Sequence, residues 1–220
     1  MRRYVLPPHR CRRPARCLAP GAQRGQASAP LHIPEGEGSL QCGVDAAHTK
    51  EQEDRYRVAL LAPFLRMLVF DAWIGNGDRH SANWAILVRG PLHGSACRLA
   101  PMYDTAGCLL ADLTDETVER RFGSNLEDTA LQRYVEKCRS GFGDGVAEPG
   151  ILHRDLLERL RKWPEWKEIA APLIEFFSEN LPVVRDLLSE IPPDWLNERR
   201  KHLTRRLLEA RVMMLRGFAS

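Results

Sequence analysis

The stretch that most constrains this chain is "IGNGDRHSANWAIL", residues 74–87. An apolar helical run ends in Gly75-Asn76-Gly77. The chain then carries Asp78, Arg79, His80 and Asn83, and becomes a Trp/Ile/Leu/Val strand. So polar a loop between two buried elements costs free energy unless its side chains find partners or perform a task. The run before it, "EDRYRVALLAPFLRMLVFDAWIG", has helical apolar spacing, takes Asp54 as its cap and stops at Gly75. After the loop, "NWAILV" and "CRLAPMYD" read as two short strands, joined through the Gly/Pro/Ser-containing "RGPLHGSA" into a β-hairpin.

Beyond Asp112 the pattern is helical nearly to the end, in "ILHRDLLERLRKW", "WKEIAAPLIEFFSENL", "PVVRDLLSEI" and "PDWLNERRKHLTRRLLEARVMMLRGF". The prolines at 164, 172, 182, 192 and 193 read as breaks or first-turn positions. The expected fold is mainly α with a small β-hairpin, and 220 residues at 44% hydrophobic suffice for one core. A net charge of +3 argues against direct nucleic-acid binding, and the six cysteines show no metal-ligand spacing. The run "VALLAPFLRMLVFDAWIG" is interrupted by Pro63, Arg66 and Asp71, so no membrane partner is expected, and the cytoplasm is the default compartment. Residues 1–50 form a separate basic, Pro-rich segment: 1–34 hold no Asp or Glu, and an irregular stretch, disordered or not native to the domain, is expected there. The domain proper is placed at 51–220.

The loop can be read chemically. Asp78 and Asn83 stand five apart, and Asp104 ends the second hairpin strand. Phosphoryl transfer of the protein-kinase type uses these parts in this order: an Asp that accepts the attacking hydroxyl's proton, then an Asn and an Asp that hold Mg²⁺. The hairpin folds Asp104 back beside the loop that carries Asn83. Arg79 is expected to buttress the loop by pairing with a carboxylate such as Asp71, and Asn76 to support the turn. Trp73 and Trp84 are read as core anchors.

"FDAWIGNGDRHSANWAIL" with "LAPMYDTAG" resembles the catalytic segment of the HipA-like serine/threonine kinases, a bacterial toxin kinase family. "CRSGFGDG" and the helical tail from Pro192 resemble that family's C-terminal region, so the likeness runs over about residues 55–218. It implies a C-terminal lobe of a protein-kinase-like fold, with Mg²⁺ and ATP as cofactors. Asp78 would be the catalytic aspartate, and Asn83 and Asp104 the metal ligands. His80 would face the transferring phosphoryl group. A protein substrate and an antitoxin-like partner come with the family. "GDRHSAN" is also similar to the catalytic loop of phosphoinositide kinases, which keeps a lipid-kinase reading open, while "APMYDTAG" favours the HipA side. The family also requires an N-terminal lobe with a phosphate-covering loop and a strand lysine. Residues 1–50 offer only "PEGEG" and Lys50 without a strand pattern. The N-lobe is therefore expected to be missing and the chain, as a truncated kinase, weakly active alone. A kinase-like binding module without turnover is the alternative. A metal-dependent phosphohydrolase is disfavoured, because only His80 lies in the loop.

Overall fold

The computed structural model describes residues 50–89, 96–123, 128–142 and 150–219. The irregular segment expected at 1–50 lies outside them, save Lys50. Among the described residues the chain is mainly helical, with one two-stranded antiparallel sheet.

Helix α1 (Lys50–Ile74) ends where the sequence places its stop, at Gly75. It starts four residues before Asp54, which is therefore an interior residue and not its cap; Lys50 to Glu53 are all good helix formers and nothing among them ends the helix. From Leu65 onward α1 is covered on nearly every side: Leu65, Met67, Leu68, Val69, Ala72, Trp73 and Ile74 are all buried. A helix apolar all round belongs at the centre of a domain. It packs against α4 (His153–Leu160), α5 (Trp166–Glu179) and α7 (Glu198–Arg216).

Strands β1 (Ile86–Arg89) and β2 (Ala96–Leu99) pair antiparallel with Ile86 opposite Leu99 and Arg89 opposite Ala96. The expected strand "CRLAPMYD" is thus shorter than its apolar run. Ala100 N–H donates to Ala85 O (2.8 Å), and Pro101 has no N–H to extend the ladder.

Helices α2 (Asp115–Phe122) and α3 (Asp128–Lys137) build a second, smaller core. There Val118, Phe122, Leu131 and Val135 meet Leu110 and, from α7, Leu203 and Leu207. Besides the Asp54 cap, the sequence expectation fails at two prolines. Pro172 stands inside α5, because Ile169, Ala170, Ile174 and Phe177 bury one continuous face across it, outweighing the single backbone bond that the ring forfeits. The tail helix begins at Glu198, not at Pro193: the Asn197 side chain caps it by accepting from Arg200 N–H, while Pro192 O takes the Trp195 and Leu196 amides in a separate turn. Helix α6 (Leu181–Glu190), with Pro182 in its first turn as expected, lies against α7 and α5 with no fully buried residue. No helix among the described residues is long and apolar enough to cross a membrane.

Candidate functional site

The polar loop begins with a forced turn. Gly75 has φ of 69°, and a Cβ on it would stand 2.4 Å from Nη2 of Arg211. Only glycine fits both the backbone angle and that contact. Three of the carbonyls left over at the end of α1 find donors from outside the helix. Asp71 O accepts from Asn76 N–H (2.9 Å), Ala72 O from Arg211 Nη1 (2.8 Å) and Ile74 O from Leu109 N–H (3.1 Å). Gly75 O takes a weak donor, Cys138 Sγ, at 3.8 Å.

Arg79, fully buried, is the centre of the loop. Its Nε donates to Asp71 Oδ2 (2.8 Å) and its Nη2 to Asp71 Oδ1 (2.9 Å), a bidentate pair sunk beneath the surface. Nη1 donates to two carbonyls, Asn83 O and Tyr103 O, each at 2.7 Å. Both oxygens lie on one nitrogen, so they stand within twice that distance of each other. The peptide that leads into Asp104 is thereby fixed beside the backbone of Asn83. Asn76 completes the frame: its Nδ2 donates to Asp71 Oδ1 (2.9 Å) and its Oδ1 accepts from Asp78 N–H (3.1 Å). The pairing of Arg79 with Asp71 and the turn role of Asn76 are as the sequence suggests.

Asp78 and Asp104 are exposed, whereas Asn83 is buried. The Asn83 Nδ2 donates to Asp78 O at 2.7 Å. That bond fixes which way the amide faces, because only its nitrogen can donate to a carbonyl, and it leaves Oδ1 as the acceptor end. Asp104 adopts φ of 54°, a left-handed conformation that Asp tolerates better than most side chains. Just past it, a Cβ on Gly107 would lie 3.0 Å from the Asp78 Cβ. The Tyr103 hydroxyl donates to Ala82 O at 2.8 Å. Residues on both sides of Asp104 therefore rest on the 78–83 loop, and the hairpin does fold back as its length requires.

His80 caps a single 3₁₀ turn (Ser81–Asn83): its Nδ1 accepts from Ala82 N–H (3.2 Å). In the neutral ring the proton then sits on Nε2, which stands 4.0 Å from Asp78 Oδ1, too far for a hydrogen bond. One face of the ring serves the loop, and the other nitrogen is left beside the Asp78 carboxylate.

A third segment underlies the loop. Ser140 N–H donates to Ile151 O and Ile151 N–H to Phe142 O, which draws "CRSGF" into an extended pair. A Cβ on Gly141 would come within 2.3 Å of Arg79 N. Gly141, Gly107 and Arg211 are supports that sequence reasoning did not single out. The two glycines were visible as "RSGF" and "DTAG", but nothing in a charged helix marks Arg211 as the one that turns inward. His153, wholly buried close to Arg211, has its pKa pushed down to about 3 by burial first and by the arginine's charge second, against a smaller pull from the Asn76 backbone.

Among the described residues no three His, Cys, Asp or Glu side chains gather at one metal position. The chemistry of Asn83 and Asp104 does fit a hard cation such as Mg²⁺, which accepts one amide or carboxylate oxygen at a time and fills its remaining positions with phosphate oxygens and water. The oriented Asn83 amide presents an oxygen, and the exposed Asp104 directly follows the Tyr103 carbonyl that Arg79 holds beside the Asn83 backbone. No family model, curated protein or solved structure matches the chain.

Proposed function

We propose that residues 51–220 are the C-terminal lobe of a HipA-like serine/threonine kinase, working in the cytoplasm on a protein hydroxyl. The single observation that supports this reading is Arg79 Nη1, which ties Asn83 O and Tyr103 O to one nitrogen and so holds the peptide leading into Asp104 beside the Asn83 backbone. One buried guanidinium thus joins the 3₁₀ turn to the segment after β2, the juxtaposition that two metal ligands far apart in sequence need.

In this reading Asp78 accepts the proton of the attacking Ser or Thr hydroxyl, a role its exposed carboxylate suits. Asn83 Oδ1 and the Asp104 carboxylate would hold Mg²⁺ with ATP. When bound, the metal neutralises charge on the transferring phosphoryl group and the nucleotide. His80, with Nδ1 occupied by Ala82 N–H, offers Nε2–H to a phosphoryl oxygen. Positioning supplies much of the rate in phosphoryl transfer. Among the described residues neither strand carries a lysine to pair with the nucleotide phosphates. The lobe alone is therefore expected to bind Mg²⁺-ATP weakly and to need an N-lobe, in cis or from a partner of the antitoxin type, for useful turnover.

That neither described strand carries a lysine is also the observation that favours a second reading, a kinase-like lobe that binds a partner without turnover. Phosphate transfer from labelled ATP to a generic protein acceptor, with a complementing N-lobe supplied, separates the two. Transfer that falls about 100-fold or more in Asp78→Asn is the expected result. Transfer indifferent to Asp78→Asn sinks the kinase assignment, and Asp104-dependent ATP binding with no transfer under any complementation leaves the binding module.

A further inference from the structure

The path from Asp104 to α2 is strained, and a residue far along the chain holds it. Three non-glycine residues in this short stretch take positive φ: Asp104 (54°), Leu109 (51°) and Leu110 (67°). Left-handed backbone is costly for leucine, and it persists only where surrounding contacts over-determine it. Leu109 is tied by its amide to Ile74 O, at the end of the helix that presents the site loop. Leu110 is buried in the second core against α7.

A further restraint, from outside the segment, is Arg200 in the first turn of α7. Its Nη1 donates to Leu110 O (3.0 Å), its Nη2 donates to Leu113 O, and its Nε donates to Asp115 Oδ1 (2.6 Å). The other Asp115 oxygen accepts from Asn197 Nδ2 (2.9 Å), and Asn197 itself caps α7. The Arg200 side chain is only 14% exposed, while Asp115 is largely in solvent. One planar fork thus spans two carbonyls of an irregular segment and the first residue of the helix that follows, a task that a lysine's single ammonium does not match.

We propose that Arg200 is a positioning residue: from α7 it keeps segment 104–113 on its strained path, and so keeps Asp104 turned to the Asn83–Asp78 loop. The proposal rests on the kinase-lobe reading for the importance of Asp104, and adds to it a residue outside the site that sets the site's geometry. Arg200 acts through Leu110, Leu109 and the Ile74–Gly75 turn on one side, and through the chain running back to Gly107 and Asp104 on the other.

The test uses the ¹⁵N-labelled full chain, with sub-stoichiometric Mn²⁺ as the probe and amide exchange as a second readout. In the wild type, Mn²⁺ should broaden the amide signals of Asn83, Asp104 and Thr105 together, and Asp104→Asn should remove the effect. In Arg200→Gln, Leu109 N–H exchange should quicken about tenfold. Asp104 and Thr105 should leave the broadened set, while Leu203 and Leu207 signals stay in place. Should Arg200→Gln fail to fold, Asp115→Asn removes one anchor of the fork only and is expected to give the same changes at smaller size. Unchanged Leu109 exchange in a folded variant overturns the clamp. Faster exchange with unchanged broadening makes Arg200 a scaffold residue and overturns its positioning role. If the wild type shows no Asp104-dependent broadening, the metal-site reading itself has failed, and the positioning of Asp104 falls with it. Stabilising Arg200→Gln with sucrose should restore its melting midpoint and leave the broadening pattern altered, a separation that a purely structural role would not give.

Discussion

At the scale of single residues, the loop's cost is met by Arg79. Four of its five N–H groups are placed, two on Asp71 and two on backbone carbonyls. A buried ion pair of this kind is poor evidence of net stability, because desolvation offsets most of the attraction. What it does supply is geometry: the fork joins the end of α1, the loop and the residue before Asp104. His153 is a different sort of buried polar group. Apart from the weak pull of the Asn76 backbone its ring nitrogens meet no hydrogen-bond partner among the described residues, and its pKa is down at about 3 against an ordinary value of 6.5. As pH falls below 6.5 the unfolded chain takes up this proton and the folded chain does not, so the stability present at neutral pH is lost steadily down to about pH 3, at about 1.4 kcal/mol per pH unit. His153→Leu should remove that share. Urea unfolding at pH 7 and pH 5 is the measurement, and the wild type should lose about 2 kcal/mol more than the variant between them. Parallel losses in the two proteins would mean that His153 ionises freely, and that the burial argument is wrong.

At the scale of elements, the sequence carries the stop of α1 at Gly75, the hairpin, and the order Asp78, Asn83, Asp104, because each rests on local chemistry. Polarity placed Arg79 with Asp71 correctly for the same reason: a buried cation needs an anion, and Asp71 is the carboxylate one helical stretch away. What could not be read is long-range. Pro172 looks like a helix break until α5 is seen to bury a face across it. Arg211 and Arg200 sit in the same charged helix, and the tertiary fold alone sends them to Ala72 O and Leu110 O. Gly141 belongs to this group, since its need for glycine comes from a distant segment. A Cβ there would meet Arg79 N at 2.3 Å and Arg79 C at 2.8 Å, and backbone cannot swing aside as a side chain can. Gly141→Ala should therefore cost about 1–3 kcal/mol in denaturant unfolding, and should shift the amide signals of Arg79 and His80. Gly77→Ala is the contrast: its nearest atom is Arg139 O at 3.4 Å, an ordinary contact, so a change within about 0.5 kcal/mol is expected. Equal effects at the two positions would remove the claim that "CRSGF" supports the loop from below.

At the scale of the whole molecule, α7 decides whether the two cores behave as one. Its neighbours Leu207 and Leu208 point into different cores, Leu207 among Phe122, Leu131 and Val135, Leu208 among the residues of α1, α4 and α5. Its lower part closes the larger core with Val212 and Leu215, and the Trp166 indole donates to Phe218 O (2.7 Å) just beyond its end. Its first turn holds the 104–113 segment through Arg200. A rigid helix shared in this way transmits the loss of either core to the other, so the described residues should unfold in a single cooperative step. The tryptophans make this measurable, because Trp73, Trp84, Trp163 and Trp166 all lie in or against the larger core. Phe122→Ala, in the smaller core, should cost about 3–5 kcal/mol, and Leu157→Ala, in the larger, about 2–5 kcal/mol. Both should move the tryptophan fluorescence transition and the exchange of the Val135 amide together, each keeping one midpoint for both probes. If Phe122→Ala instead freed Val135 to exchange while tryptophan fluorescence held its midpoint, the smaller core would be a separate unit. Asp104 would then hang between two bodies, and the rigid link from α7 to the site that Arg200 is proposed to provide could not exist.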